Sequence, residues 1–144
     1  MLNNEIWYSI VNTKDYDHID GLLYVHPDNI RSLEHTIQSS INNFNRNVDW
    51  DDMWTLGDAY DRLEEDHQLF LGVTEDGPMA HVWFDRDYLY NAYVDPRREE
   101  GYGVNFILGC LNFIEHSSIK LYCDDWNIRA QKFFEKVGFL KESN

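Results

Sequence analysis

Positive charge is what this 144-residue sequence has least of: 12 lysines and arginines stand against 26 aspartates and glutamates, a net charge of −14 at neutral pH. The shortage is concentrated in residues 1–85, with 17 acids and 4 bases, whereas residues 86–144 carry 9 and 8. Such a surface repels phosphate backbones and anionic bilayers, which argues against nucleic-acid or membrane-surface binding; it can attract a cationic amine, and keeping a small domain soluble is its plainer role. Cysteine is nearly absent too. Cys110 and Cys123 lie in helix-like and strand-like surroundings, so no disulfide framework is expected and a reducing cytoplasm is the default compartment. Apolar runs are short, and the opening MLNNEIWYSI lacks a basic segment followed by a long apolar stretch, so neither a spanning helix nor a signal peptide is expected. His18, His26, His35, His67, His81 and His116 share no short ligand spacing with one another or with the cysteines, so no metal is expected.

What is present suffices for one core: 43% of the residues are hydrophobic, and no linker, repeat or low-complexity tract divides residues 1–144. Residues 5–11 read as a first strand. From Thr13, Tyr16, Ile19, Leu22 and Leu23 recur at helical spacing and predict a short helix. Asp28 is expected to cap a second helix, in which Ile30, Leu33, Ile37, Ile41 and Phe44 form one apolar stripe. Trp50, Met53, Trp54, Tyr60 and Leu63 suggest a third helical stretch. Residues 68–74 and 79–84 alternate around a Glu75-Asp76-Gly77-Pro78 turn and predict an antiparallel hairpin, which residues 88–94 extend into a meander. A helix over 103–116, a strand over 119–123, a helix over 128–137 stopped by Gly138, and a strand stub over 139–141 complete the order. The strand–helix–strand passage after Val94 implies one parallel pair, hence a mixed, mostly antiparallel α/β sheet flanked by helices.

Chemistry concentrates where the strand ending at Val94 meets Arg98-Glu99-Glu100-Gly101-Tyr102-Gly103 and a helix opens. Glycine admits close approach of the backbone, and unpaired amides at a helix start favour anions, so the loop reads as a pyrophosphate cradle. The Rossmann and Walker spacings fit less well. The segment YVDPRREEGYGVNFIL resembles the acetyl-coenzyme A motif of the GNAT N-acetyltransferases, a strand and a Q/R-x-x-G-x-G/A loop leading into a helix. Downstream, LYCDDWNIRAQKFFEKVGF is similar to the family's next motif through Asn127, Ala130, Phe133, Phe134, Glu135, Lys136, Gly138 and Phe139. The match covers about residues 88–140, and residues 1–67 correspond to the side where that family binds its acceptor.

The resemblance implies that Arg98, Glu100, Gly101, Tyr102 and Gly103 surround the pyrophosphate of acetyl-coenzyme A. It implies that Val94 pairs its backbone with the pantetheine arm, and that Asn127 and Phe134 lie beside that arm. The implied reaction is direct attack of a primary amine, carried by a small molecule or a protein, on the thioester. A main-chain amide near Val94 would hold the oxyanion, and the proton acceptor stays open between Asp87, His81 and Tyr90. Trp50, Trp54 and Tyr60, with Asp49, Asp51, Asp52, Asp58 and Asp61, are candidates for a cationic acceptor pocket, and core packing or a solvated face is the plainer role for them. Two departures bear on turnover: Phe134 stands where many members carry tyrosine, and the loop is one residue shorter than the commoner spacing. Few residues follow Phe139, so the expectation is a sheet short of its last strands or completed by a second subunit, which leaves a dimer open. The alternative function is a catalytically weakened subunit of a larger assembly.

Overall fold

The computed structural model describes residues 4–142; Met1–Asn3, part of the segment read for a leader, fall outside them. In chain order the elements are β1 (Glu5–Val11), β2 (Leu22–Val25), α1 (Glu34–Asn45), a 3-10 turn (Trp50–Asp52), α2 (Leu56–Glu64), β3 (Gln68–Thr74), β4 (Gly77–Asp85), β5 (Tyr88–Val94), α3 (Tyr102–Leu111), β6 (Ser118–Asp124), α4 (Ile128–Val137) and β7 (Leu140–Lys141). The strands form one sheet in the order β2-β3-β4-β5-β6-β1-β7, antiparallel at every pairing except β5 with β6.

Alternation along the central strands sorts their side chains into two layers. Phe70, Ala80, Val82, Phe84 and Leu89 point to the face covered by α3 and α4, where Phe106, Ile107, Leu111 and Phe134 complete a core. Leu69, Leu71 and Trp83 point to the opposite face and pack against Ile37 and Ile41 of α1 and Ala59 and Leu63 of α2. The sheet is therefore buried on both sides at β3 and β4. No helix of the described residues is long and apolar enough to cross a membrane.

The structure corrects the reading of residues 13–25. Instead of a helix, the chain runs irregularly to Gly21 and then forms edge strand β2, antiparallel to β3. Tyr16 and Ile19 do meet the core, but from a loop clamped by Asn112, whose side chain accepts from the Tyr16 N–H at 3.0 Å and donates to its C=O at 2.9 Å, and Leu22 meets it from β2. Those bonds replace the helical ladder, and the positive φ of Lys14 (57°) and Gly21 (78°) breaks its continuity. Likewise Asp28 caps nothing: residues 27–33 form successive turns, and α1 opens at Glu34 with no side-chain cap. The third helical stretch is split, with α2 started by a reciprocal capping box between Thr55 and Asp58.

The strand stub, β7, forms one edge of the sheet beside β1 rather than beside β6. β1 is inserted between β6 and β7, pairing residue by residue with β6 from Glu5 with Asp124 to Val11 with Ser118. Its Tyr8 is buried and donates to Glu135 of α4 at 2.9 Å, tying strand to helix.

Candidate functional site

Parallel strands β5 and β6 are joined at one end only. Tyr88 pairs with Lys120, whose N–H donates to the Asp87 carbonyl at 2.9 Å, and no pairing is made beyond that point. Toward Val94 and Asp124 the strands part. On its other side β5 stays in register with β4 as far as Ala80 opposite Val94. Because the Asp95 N–H donates to the Met79 carbonyl at 2.7 Å, strand alternation turns the N–H and C=O of Val94 and Ala92 toward the notch. A β-bulge sharpens the geometry: Trp83 faces Asn91 and Phe84 faces Leu89, which leaves Tyr90 as the extra residue.

The loop from Asp95 closes the open end of the notch. Gly101 adopts a left-handed conformation (φ 84°), with nothing within 4 Å of where a Cβ would stand, and α3 begins at the next residue; the Tyr102 N–H turns back to the Glu99 carbonyl at 3.1 Å, while the Gly103 and Val104 amides have no backbone acceptor among the described residues. Gly103 is needed for a different reason. A Cβ there would lie 2.9 Å from the Phe133 ring and 3.1 Å from Val94, so its absence lets α3 approach the end of β5 and α4. Arg98 is half-buried beside the notch, and Glu99 and Glu100 are exposed. Tyr102 contributes its amide to the helix start but sends its ring inward, where its hydroxyl is buried without a partner near Gly72. Asn127 caps α4 at the far lip, its Oδ1 accepting from the Ala130 N–H at 3.2 Å. Phe134 is core: its ring packs against Phe139 and edge-on to Phe133, and Phe133 is the aromatic that reaches the notch.

On the α1 side of the sheet a surface cavity of about 400 Å³ is bounded by Phe44, Asp51, Asp52, Met53, Trp54 and Asn91. Asn91 joins this cavity to buried His81, its Oδ1 lying 2.6 Å from His81 Nε2. Burial pushes the imidazole down to about 4 against the raising effect of that bond, so it is neutral at pH 7. The other acid–base candidates sit elsewhere. The Tyr90 hydroxyl is 2.7 Å from His67 Nδ1 and burial raises its pKa well above the ordinary range; Asp87 lies at the closed end of the notch, about 20 Å of strand from Val94. Of the aromatic acceptor candidates, Trp50 is fully outward at 81% exposure and Tyr60 is bonded to Glu34. Trp54 is stacked on Trp83, with the Arg62 guanidinium 5.7 Å from its ring centroid. Asp58 is committed to the α2 cap. The acidic candidates that reach the cavity are Asp51 and Asp52. Among the described residues no group of three or more His, Cys, Asp or Glu is placed to hold a metal ion.

No family model matches the sequence, and no curated protein sequence does. Solved structures match the fold. An aminoglycoside acetyltransferase from an uncultured soil metagenome superposes at a TM-score of 0.62 and 12% identity, covering 85% of this chain and 90% of that one. A GNAT-family acetyltransferase from Colwellia psychrerythraea gives 0.61 and 15% identity over 98% of this chain and 53% of its own. A protein from Novosphingobium aromaticivorans assigned to the GNAT acetyltransferases gives 0.60 and 10% identity, over 99% of this chain and 61% of its own, so this chain spans little more than half of those two longer proteins. The architecture is the GNAT fold.

Proposed function

We propose that this GNAT-type domain transfers an acetyl group from acetyl-coenzyme A to a primary amine on a small cationic molecule. The observation that carries the reading is the unpaired edge of β5 at Ala92 and Val94, directly followed by the left-handed Gly101 and the open start of α3. A backbone edge with no strand beside it suits the amides of a pantetheine arm, and adjacent helix-start amides suit a pyrophosphate. Val94 and Ala92 would pair with the arm, Gly101 to Gly103 and Arg98 would hold the phosphates, and Asn127 and Phe133 would wall the far side.

In the reaction the amine nitrogen bonds to the acetyl carbon and the carbon–sulfur bond breaks, so coenzyme A leaves as its thiolate. The backbone around Val94 and the Tyr90 bulge supplies N–H groups for the developing oxyanion. The amine approaches through the cavity beside Asn91, where Asp51 and Asp52 complement its charge. None of the three proton-acceptor candidates is suited to hold the amine's proton: Tyr90 is bonded and raised, His81 is held low, and Asp87 is distant. The proton therefore leaves to water in the cavity. With phenylalanine at 134 no side-chain hydroxyl is offered there to the leaving sulfur, but a thiol is acidic enough for coenzyme A to depart as the thiolate and take its proton from water afterwards.

Calorimetric titration with acetyl-coenzyme A, followed by a thiol-release assay over an amine panel, tests the proposal. Submillimolar binding with thiol release is expected. Absence of binding would sink it, and binding without release for any amine would support the weakened, non-catalytic alternative.

A further inference from the structure

The loop between β5 and α3 is organised by a buried carboxylate. Asp95 is 2% exposed and yet ionised, Arg97 above all holding it well below the usual carboxylate range. Four donors saturate its oxygens. Oδ1 accepts from the Arg97 N–H at 2.8 Å and from Arg97 Nε at 3.1 Å, while Oδ2 accepts from Arg97 Nη2 at 2.9 Å and from Asn43 Nδ2 at 2.7 Å. The Asp95 peptide is committed as well, its N–H to Met79 and its C=O to the Arg98 N–H at 3.1 Å.

The network continues into α1. Asn43 Nδ2 also reaches the Pro78 carbonyl at 3.3 Å, and Asn43 Oδ1 accepts from Arg46 at 3.1 Å. Asn47 then donates to the Asn43 carbonyl at 2.9 Å and to the Tyr93 hydroxyl at 2.7 Å. One carboxylate thus joins the end of α1, the start of β4 and the loop leading to Gly101. The Arg97 side chain is 64% exposed, so the ion pair itself adds little net stability; what the buried carboxylate supplies is geometric, fixing the direction in which the loop leaves β5. It also commits the Arg97 charge to Asp95, whereas among the described residues the Arg98 guanidinium bonds only to a neutral carbonyl, that of Pro96 at 3.3 Å.

We propose that Asp95 is a positioning residue for the cofactor, holding the Gly101 to Gly103 amides in place through Arg97 and setting their register to α1 through Asn43. Because Phe44 of α1 walls the acceptor cavity, the same contact aligns the two substrates. The inference rests on the reading of the notch as the acetyl-coenzyme A site.

Asp95→Asn separates position from charge, because the two act in opposite directions. Losing the carboxylate frees Arg97 and makes the loop more positive by one, which favours an anionic ligand; loosening the loop disfavours it. Calorimetry with coenzyme A on wild type, Asp95→Asn, Asp95→Asn/Arg97→Ala and Asn43→Ala reads the balance, with circular dichroism confirming the fold of each. Asn43→Ala keeps the Asp95–Arg97 pair and is the variant to use should Asp95→Asn fail to fold. The expected result is a dissociation constant raised about tenfold or more in every variant, the scale of a misplaced binding element. The KM for acetyl-coenzyme A should also rise by a larger factor than kcat falls. Folded variants that bind as tightly as wild type, or an Asp95→Asn that binds more tightly, overturn the positioning role. A wild type that binds no coenzyme A overturns the cofactor reading itself, and the inference with it.

Discussion

Acid should destabilise this protein through one buried imidazole well before its carboxylates are neutralised. His81 is 6% exposed, with its ring edge-on to Phe44 at 5.1 Å and beside Tyr93. Burial lowers its pKa from 6.5 to about 4. Between those values the unfolded chain takes up a proton at His81 that the folded chain refuses, so the His81 contribution is constant above pH 6.5 and is lost as pH drops toward 4. Two and a half units at about 1.36 kcal/mol each put the loss at about 3 kcal/mol, a large part of the 5–15 kcal/mol typical of a domain. Urea midpoints at pH 7, 5.5 and 4 for wild type and His81→Leu would measure it. Surface carboxylates titrate in both proteins and cancel in the comparison. Asp95, whose pKa is lowered on folding, withdraws its contribution only as pH falls below its ordinary value of 3.8. The variant starts lower at pH 7 through lost packing, so the slope is the readout: steep in wild type, shallow in His81→Leu. Parallel slopes would mean that His81 is not the group that takes up the proton.

Other outcomes follow from single contacts. Thr55→Ala removes one half of the capping box that opens α2 and should cost about 1 kcal/mol in denaturant unfolding, with no effect on coenzyme A binding. Tyr102→Phe deletes a buried hydroxyl that has no partner while keeping the amide at the start of α3; unfolding free energy should hold or rise by about 1 kcal/mol, and a clear loss would mean the hydroxyl is bonded. Burial pushes the Cys110 thiol well up, and burial and Asp124 push Cys123 up to about 11. Neither should react with an aromatic disulfide reagent at pH 8 in the folded protein, while both should react in urea, so thiol release can be followed without background.

How far the sequence carried depended on whether the signal was local. The β3-β4-β5 meander follows from alternation around Asp76-Gly77, and α4 runs from Ile128 to Val137 as expected, since Asn127 starts it and Gly138 stops it. Residues 13–25 misled because apolar spacing of three and four is satisfied equally by a loop pinned to Asn112, and strand β2 has only four residues to declare itself. The place of β1 between β6 and β7 was not legible at all, as pairing across more than a hundred residues leaves no local mark. At the site, the loop and its glycines were readable. Asp95 was not, because an aspartate before proline reads as a turn residue until the Arg97 fork and Asn43 are seen around it. The acceptor side was the least readable: an acidic, aromatic stretch cannot show that Trp54 is already stacked, or that only Asp51 and Asp52 of its aspartates reach the cavity.

If the parted strands β5 and β6 hold acetyl-coenzyme A along the free edge of β5, the backbone amides there must respond to the ligand. Amide chemical shifts of nitrogen-15-labelled protein, followed through a coenzyme A titration, test it most directly. Saturable changes at submillimolar ligand should concentrate at Asn91 to Val94, Gly101 to Val104 and Asn127, with α2 undisturbed. Changes that do not saturate, or that centre away from the notch, would contradict it.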